Sequence, residues 1–198
     1  MPERGPVTLR EEDLDFAFDA DWKICSHWDQ EAVYSDLNEQ VPGSKGVDFV
    51  GLREGALYLI EVKDYRTFEH QSATREKLAE DGRPLADIVA AKVRDTVAGL
   101  VGAARTGKEP AWRSCMESLV GRDLWVVLWI EHTELDASSP VRVKRAKVGA
   151  AVTLITSLKK RCRWITRHVA VCSRRGELVP GLEVRSIPDA KRTRGRRA

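Results

Sequence analysis

Two carboxylates and a lysine occur in two consecutive apolar stretches of this 198-residue chain, and together they could bind a divalent cation. Asp48 lies in the stretch Gly46–Leu52, and Glu61 and Lys63 lie in the stretch Ala56–Tyr65. Side chains two positions apart on a strand share a face, so a strand at the second stretch would present Glu61 and Lys63 together. Carboxylate oxygens suit Mg²⁺, and an ammonium group beside them could assist a water molecule or stabilise the charge on a phosphate.

The acid-x-lysine spacing is weak evidence by itself, because it occurs three times: Asp21/Lys23, Glu61/Lys63 and Asp189/Lys191. We predict a helix around the first pair, and residues two apart on a helix point in different directions. The third pair lies in a basic tail without apolar neighbours. The pair Glu61/Lys63 alone ends an apolar stretch that is typical of a strand, and we therefore select it.

The turn between the two apolar stretches predicts the register of a β-hairpin. A two-residue turn at Glu54-Gly55 would pair residues whose numbers sum to 109, which places Asp48 opposite Glu61. Directly opposed residues share a face, with Cβ atoms about 4.5–5.5 Å apart. Two carboxylates at that distance repel each other unless a cation lies between them. The hairpin therefore predicts a cation site; an ordinary cross-strand cluster, with Lys63 neutralising Asp48 and Glu61, is the alternative.

The remaining pattern predicts the elements that hold this hairpin in place. Apolar residues at helical steps predict helices, and short apolar or alternating stretches predict strands. We expect helices over 14–37, from Pro84 onward and over about 147–164, and strands over 124–130, 168–172 and 181–187. The fold class is therefore α/β, with a mixed central β-sheet flanked by helices in the order α-β-β-α-β-α-β.

Charge is divided unevenly along the chain, although the net charge is only +3. The segment Ala137–Gly176 contains eleven basic residues and no acid, and the last eight residues contain five more basic residues. A C-terminal region this rich in basic residues indicates a polyanionic partner, most often nucleic acid. The alternative is that the acidic and basic halves neutralise each other within one fold.

We expect a cytoplasmic protein with no membrane association. Its four cysteines lie far apart in the sequence, and no two of them have the C-x-x-C spacing. We therefore interpret them as reduced thiols. The acidic N-terminus has no long apolar run, and no segment approaches the ~20 apolar residues of a membrane span.

Basic side chains at three places are candidates for contact with the phosphate backbone of DNA. They are on the second predicted helix, on the outer face of the third predicted helix and in the tail: Lys92, Arg94, Lys159, Lys160, Arg163, Arg192, Arg194, Arg196 and Arg197. Asparagine and glutamine, which read base edges, are almost absent among them, so we expect backbone contact without sequence readout. A solvated helix face is the alternative for Lys92 and Arg94.

Asp48, Glu61-x-Lys63 and the order of elements around them resemble the PD-(D/E)xK nuclease superfamily, over roughly residues 14–175. The resemblance implies a restriction-endonuclease-like core and a metal-dependent deoxyribonuclease, most often an endonuclease, that uses Mg²⁺ or Mn²⁺; RNA as substrate stays open. It assigns metal binding to Asp48, Glu61 and the backbone carbonyl of Val62, and assistance of the hydrolytic water to Lys63. An acid on the first predicted helix often joins such a site; Glu31 is the candidate, and Asp29 and Asp36 are the alternatives. Val47 stands where the superfamily's name-giving proline would be.

The resemblance leaves two other functions open. One is a catalytically inactive nucleic-acid-binding module on the same scaffold, and the other is a protein-interaction subunit. We expect a nuclease-like domain over 1–176, followed by a C-terminal edge strand and basic tail over 177–198. A homodimer would provide two active sites for cutting both strands.

Overall fold

Eight strands and four α-helices are present in the part of the chain that the computed structural model describes, namely residues 5–66, 83–106, 110–121, 123–132, 141–176 and 179–187. In chain order they are β1 (Val7–Glu11), β2 (Leu14–Phe18), β3 (Trp22–His27), α1 (Ala32–Gln40), β4 (Phe49–Arg53), β5 (Ala56–Asp64), α2 (Arg83–Thr106), α3 (Pro110–Gly121), β6 (Leu124–Glu131), α4 (Val141–Cys162), β7 (His168–Cys172) and β8 (Leu182–Ser186).

The central sheet has five strands in the order β3-β4-β5-β6-β7. Neighbouring strands are antiparallel from β3 to β5 and parallel from β5 to β7, so the sheet is mixed, as the sequence predicts. Strand β6 is almost entirely buried. Parallel strands covered on both faces have continuous apolar runs of this kind.

Helices cover one face of the central sheet, and a second sheet covers part of the other. The helix-side core joins side chains such as Leu59 and Leu128 of the sheet to Val93 of α2 and Leu158 of α4. On the opposite face, the antiparallel sheet β1-β2-β8 packs Leu14, Phe16 and Phe18 against Phe49 and Ile60. The protein is thus an α/β structure with a mixed sheet, but the described helices lie on one face instead of on both.

The predicted hairpin register is confirmed. Phe49 pairs with Ile60 and Val50 pairs with Leu59, so the paired residue numbers sum to 109. Glu54 and Gly55 have φ angles of 51° and 82°. Positive φ at both central residues is the requirement of the tight hairpin turn whose twist matches that of the strands. This register brings the chain immediately before β4, where Asp48 lies, beside Glu61 of β5.

The predicted helix over 14–37 is wrong, because β2, β3 and the start of α1 occupy this range. Leu14, Phe16 and Phe18 are buried in alternation with partly exposed residues, which is the period of a strand. A short 3₁₀ turn, Trp28–Gln30, precedes α1. Spacings of three and four residues from Phe18 to later aromatic residues also fit a helix. Residues 14–18 form a strand because β2 pairs with both β1 and β8.

The other element predictions hold with changed boundaries. Helix α2 begins at the predicted place, α4 begins at Val141, before residue 147, and α3 was not predicted. Strand β8 lies at the edge of the second sheet, where it pairs with β2. The segment after residue 176 therefore contributes a strand to the fold, while the boundary at 176 stays a prediction.

Two further sequence expectations concern cysteine and membrane association. All four cysteines lie within the described residues and are outside any disulfide, and Cys115, Cys162 and Cys172 are buried. No helix within the described ranges is long and apolar enough to cross a membrane.

Candidate functional site

Asp48, Glu61 and Lys63 come together at the hairpin. The Val62 amide donates a hydrogen bond of 2.6 Å to Asp48 Oδ2, which ties the chain before β4 to β5. Lys63 Nζ lies 2.5 Å from Glu61 Oε1 and donates to the Val62 carbonyl oxygen at 2.8 Å. Glu61 is 0% exposed and Asp48 is 6% exposed. The structure therefore brings two buried carboxylates and one half-buried ammonium group together.

Lys92 of α2 is the fourth charged group of this cluster. Its Nζ lies 2.8 Å from Glu61 Oε2 and 3.3 Å from Asp48 Oδ1, so it contacts both carboxylates. The sequence predicts that Lys92 contacts phosphate or water, but its side chain is mostly buried against the sheet. A signal was available: Lys92 lies between Val89 and Thr96, which both face the core, at spacings of three and four residues.

Hydrogen bonds to two elements, the 3₁₀ turn and α2, position the backbone at Val47 and Asp48. The Trp28 amide donates to the Asp48 carbonyl at 3.0 Å, and the Val47 amide donates to Thr96 Oγ1 at 3.0 Å. Trp28 also packs so closely over Gly46 that a Cβ there would lie 2.6 Å from the indole Cδ1. The 3₁₀ turn and α2 contact residues 46–48, and β3 pairs with β4 directly after them. Asp48 is therefore held in place before any ligand binds.

Burial and mutual repulsion control the electrostatics of the cluster. Burial raises the pKa of Glu61, and the neighbouring Asp48 raises it further, while Lys63 and Lys92 oppose both effects. Burial lowers the pKa of Lys63, but the Glu61 and Asp48 carboxylates raise it more, so its pKa lies above the ordinary value. Lys63 is therefore a cationic hydrogen-bond donor in this state, suited to stabilising negative charge on an oxygen.

Two glutamates at the β1–β2 turn form the rim of the site. Neither was predicted from the sequence. Glu12 has a φ of 52°, and its Oε2 accepts a 2.9 Å hydrogen bond from the Asp64 amide at the end of β5. Burial raises the pKa of Glu11 to about 7, helped by Asp48, Asp29 and Glu12 and opposed by Lys63. The alternating pattern on either side of Glu11-Glu12-Asp13 was the available signal for a second hairpin.

Glu31 lies at the N-terminus of α1, where its carboxylate accepts a hydrogen bond from Ser26 Oγ. Among the described residues, no hydrogen bond or ion pair joins Glu31 to Asp48, Glu61 or Lys63. The structure therefore shows no direct polar contact between this predicted third acid and the other three groups.

The predicted phosphate contacts have different surroundings. Lys159, Lys160 and Arg163 are exposed at the end of α4. Arg94 is exposed and forms an ion pair with its neighbour Asp95 at 2.7 Å. The predicted contacts of the tail, Arg192, Arg194, Arg196 and Arg197, lie outside the described residues.

Two carboxylates are the donors available to a metal ion. Across the ranges described, no group of three or more His, Cys, Asp or Glu side chains is placed to hold one. Neither oxygen of the buried Glu61 carboxylate makes a hydrogen bond of good geometry, so both keep acceptor capacity besides their contacts with lysine. Mg²⁺ commonly binds through only one or two carboxylates and retains water for its other positions. Asp48 and Glu61 fit that manner of binding.

Comparisons with known proteins give limited similarity. No protein-family model and no solved structure matches the chain. A cysteine–tRNA ligase of Neisseria meningitidis is 31% identical over 122 residues, which cover 49% of this chain and 17% of the ligase. The chain therefore spans about a sixth of that curated relative, and the similarity does not establish a family.

Proposed function

We propose that the protein is a nuclease that hydrolyses phosphodiester bonds of DNA with Mg²⁺ or Mn²⁺, as an endonuclease of the PD-(D/E)xK type. The observation that carries the proposal is the convergence of Asp48, Glu61 and Lys63 on one buried site. Close, buried carboxylates repel each other and raise the pKa of Glu61, so the site favours a cation. The exposed cations at the end of α4 support a polyanionic substrate.

Each residue of the site has a separate role in this proposal. Asp48, Glu61 and the Val62 carbonyl would hold the metal ion. A divalent ion there would neutralise phosphate charge and lower the pKa of a bound water molecule. Lys63 donates hydrogen bonds to a phosphate oxygen or to the attacking water from its cationic side chain. Asp48 is already oriented by the Val62 amide, so its own carboxylate needs little rearrangement on binding.

The order of elements supports a restriction-endonuclease-like core. From α1 to β7 the order is α-β-β-α-α-β-α-β. This is the order α-β-β-α-β-α-β expected for the nuclease-like core, with α3 added. The central sheet is mixed, and the site lies on its helix-covered face. A cytoplasmic location and a homodimer with two active sites remain parts of the proposal.

A catalytically inactive nucleic-acid-binding module is the second candidate. The observation that favours it is the pair Lys63 and Lys92, whose ammonium groups neutralise Asp48 and Glu61 without any metal. A protein-interaction subunit has no comparable support among the described contacts. The two candidates differ in one measurable property, because only the nuclease requires a divalent ion at the carboxylates.

Metal dependence of DNA cleavage tests the proposed function. We expect the wild-type protein to nick or cut DNA with Mg²⁺ and to be inactive in EDTA, on at least one of circular, linear, nicked and single-stranded substrates. Lys63→Ala should lower the cleavage rate by about 10²–10³-fold, as loss of a transition-state donor does. It should still bind Mg²⁺, because both carboxylates remain.

Lys23→Ala is the matched control, since Lys23 belongs to the unselected pair Asp21/Lys23 and is exposed on β3. Its cleavage rate should equal that of the wild type. Equal rates in Lys63→Ala and Lys23→Ala would contradict the role of Lys63. Absence of Mg²⁺ and Mn²⁺ binding, measured by calorimetry, would favour the inactive nucleic-acid-binding module.

A further inference from the structure

Lys92 connects the two carboxylates of the site. Its Nζ contacts Glu61 Oε2 at 2.8 Å and Asp48 Oδ1 at 3.3 Å. Lys63, in contrast, forms an ion pair with Glu61 alone among the acids of the described residues, and it also donates to the carbonyl oxygen of Val62. Lys92 is therefore the cation that holds the two carboxylates together.

The charges of the cluster sum to zero without a metal ion. Asp48 and Glu61 contribute two negative charges, and Lys63 and Lys92 contribute two positive charges. Adding a divalent ion to this buried cluster would place two further positive charges beside both ammonium groups, and the Glu11 and Glu12 carboxylates at the rim would offset them only in part. Such an excess of positive charge is costly in a site of low effective dielectric constant. Metal binding therefore requires that one ammonium group move away.

We propose that Lys92 is a built-in competitor of the divalent cation: it stabilises the metal-free site and withdraws when a metal ion binds. Its bridging contacts with both carboxylates are those that a metal ion held by Asp48 and Glu61 would replace. The side chain reaches the site on a flexible stem from α2, whereas Lys63 is also anchored to Val62. This inference rests on the proposed function, because it assumes that the carboxylates bind metal.

Removal of the Lys92 charge should raise the affinity for metal and lower the thermal stability of the metal-free protein. We expect Lys92→Met to bind Mg²⁺ or Mn²⁺ about tenfold more tightly or better, because the competing charge is gone. In EDTA the variant should melt at a lower temperature than the wild type, since Asp48 and Glu61 lose their bridging cation. Added Mg²⁺ should raise the melting temperature of the variant more than that of the wild type.

Calorimetric titration with each metal and thermal unfolding with and without EDTA measure these effects. Lys23→Met, which removes an exposed lysine from β3, is the control and should match the wild type in both. If Lys92→Met is unfolded in EDTA, Lys92→Gln provides the same comparison with a neutral donor in place of the charge. Neither readout depends on DNA cleavage.

The outcomes separate this inference from the proposed function. Metal binding of equal affinity in the wild type and in the Lys92 variants would overturn the role of Lys92 and leave the nuclease proposal standing. Absence of metal binding in all of them would overturn both. Tighter binding by the variants supports Lys92 as a competitor, even if the preferred nucleic-acid substrate is still unidentified.

A second, independent observation is an exposed tryptophan in a basic surface. Trp164 is 58% exposed immediately after α4, whereas Trp28, Trp112 and Trp129 are buried. Four exposed cations lie close to it in the chain and have no ion pair with any described residue: Lys159, Lys160, Arg163 and Arg167. We call these four residues and Trp164 the α4 basic surface.

We infer that the α4 basic surface binds single-stranded nucleic acid, with Trp164 stacking on a base and the cations contacting phosphates. Cationic grooves combined with exposed aromatic rings are the usual means of binding unpaired strands, whose bases are accessible. An anionic membrane is disfavoured because the apolar side chains Leu154, Leu158 and Cys162 of α4 are buried in the core. Over residues 149–162, where the structure describes the side chains, the apolar stripe at helical spacing is therefore occupied by the core and is not available for insertion into lipid.

Binding of labelled oligonucleotides in EDTA tests this inference. We expect Trp164→Ala to weaken binding of a single strand about tenfold, with an unchanged salt dependence and little effect on duplex binding. Lys160→Ala should instead reduce the slope of log K against log salt by about 0.7 on a single strand, the value for one phosphate contact. Val152→Ala, which shortens a 59% exposed apolar side chain of α4, is the control and should change neither.

Two results would overturn the stacking role. One is a Trp164→Ala variant with wild-type affinity for single strands, or with an equal loss for duplex. The other is Trp164-dependent binding to vesicles containing anionic lipid without Trp164-dependent binding to nucleic acid.

Discussion

Asp48→Asn will lose metal-dependent DNA cleavage by about three orders of magnitude or more, equivalent to about 4 kcal/mol of transition-state stabilisation. The amide has the same shape as the carboxylate and can still accept the hydrogen bond that the Val62 amide donates to Asp48. The change therefore removes a charge and leaves the local geometry in place. One of the two carboxylates that would bind metal becomes neutral.

The substitution also changes Glu61. Asp48 is one of the groups that raise the pKa of Glu61, so its neutralisation should lower that pKa and keep Glu61 ionised. Glu61 would then face Lys63 and Lys92 without a second carboxylate. We expect metal affinity to fall, and the free energy of unfolding in EDTA to fall by about 1–3 kcal/mol, because Lys92 loses one of its two carboxylate partners.

Cleavage assays over a range of Mg²⁺ concentrations, with urea denaturation of each protein, check this prediction. Asp21→Asn is the matched control, because Asp21 belongs to an acid-x-lysine pair and forms a surface ion pair with Arg53 at 2.9 Å. It should cleave at the wild-type rate. Wild-type cleavage by Asp48→Asn would contradict the assignment of the active site and, with it, the proposed function.

Trp28→Ala should lower the free energy of unfolding by about 3–5 kcal/mol, as loss of a large buried aromatic side chain does. Trp28 is 0% exposed and packs against Trp112 of α3 with ring centroids 5.3 Å apart. A Cβ on Gly99 of α2 would lie 2.7 Å from the indole, so the helix and the ring are in close contact. Neither neighbour can fill the resulting cavity without moving a helix.

The same variant should affect the site, because the Trp28 indole packs over Gly46, two residues before Asp48, although the backbone amide that donates to the Asp48 carbonyl is retained. Natural domains are stable by only about 5–15 kcal/mol, so this loss is a large part of the total. Urea denaturation followed by circular dichroism measures it. Trp164→Ala removes an exposed indole and should change the free energy of unfolding by no more than about 0.5 kcal/mol. Equal stability of the two variants would show that Trp28 is not a core residue.

Local sequence determined the hairpin that carries the site. Glu54-Gly55 specifies a tight turn, and the turn sets which residues of β4 and β5 face each other. The pairing of Asp48 with Glu61 follows, because both the turn and the strands lie within one short segment. Helix α2, which begins near Pro84, and the continuous apolar run of β6 are likewise properties of their own residues.

The range 14–37 was decided by tertiary structure. Its apolar residues fit helical steps from Phe18 onward and strand alternation before it, so local pattern supports both. Strand β2 forms because β1 and β8 pair with its two edges, and β8 lies at the other end of the chain. A local sequence pattern cannot identify a pairing strand that lies so far away in the chain.

The composition of the site beyond the hairpin was also decided by tertiary structure. Lys92 reaches Asp48 and Glu61 because α2 crosses the sheet at that point, and Glu11 and Glu12 reach the rim because the second sheet packs on the first. Glu31 was expected within a long helix, whereas it is the N-cap of α1 and its carboxylate accepts a hydrogen bond from Ser26. Spacing along a strand determines which side chains share its face, whereas the packing of separate elements determines which other charges they meet.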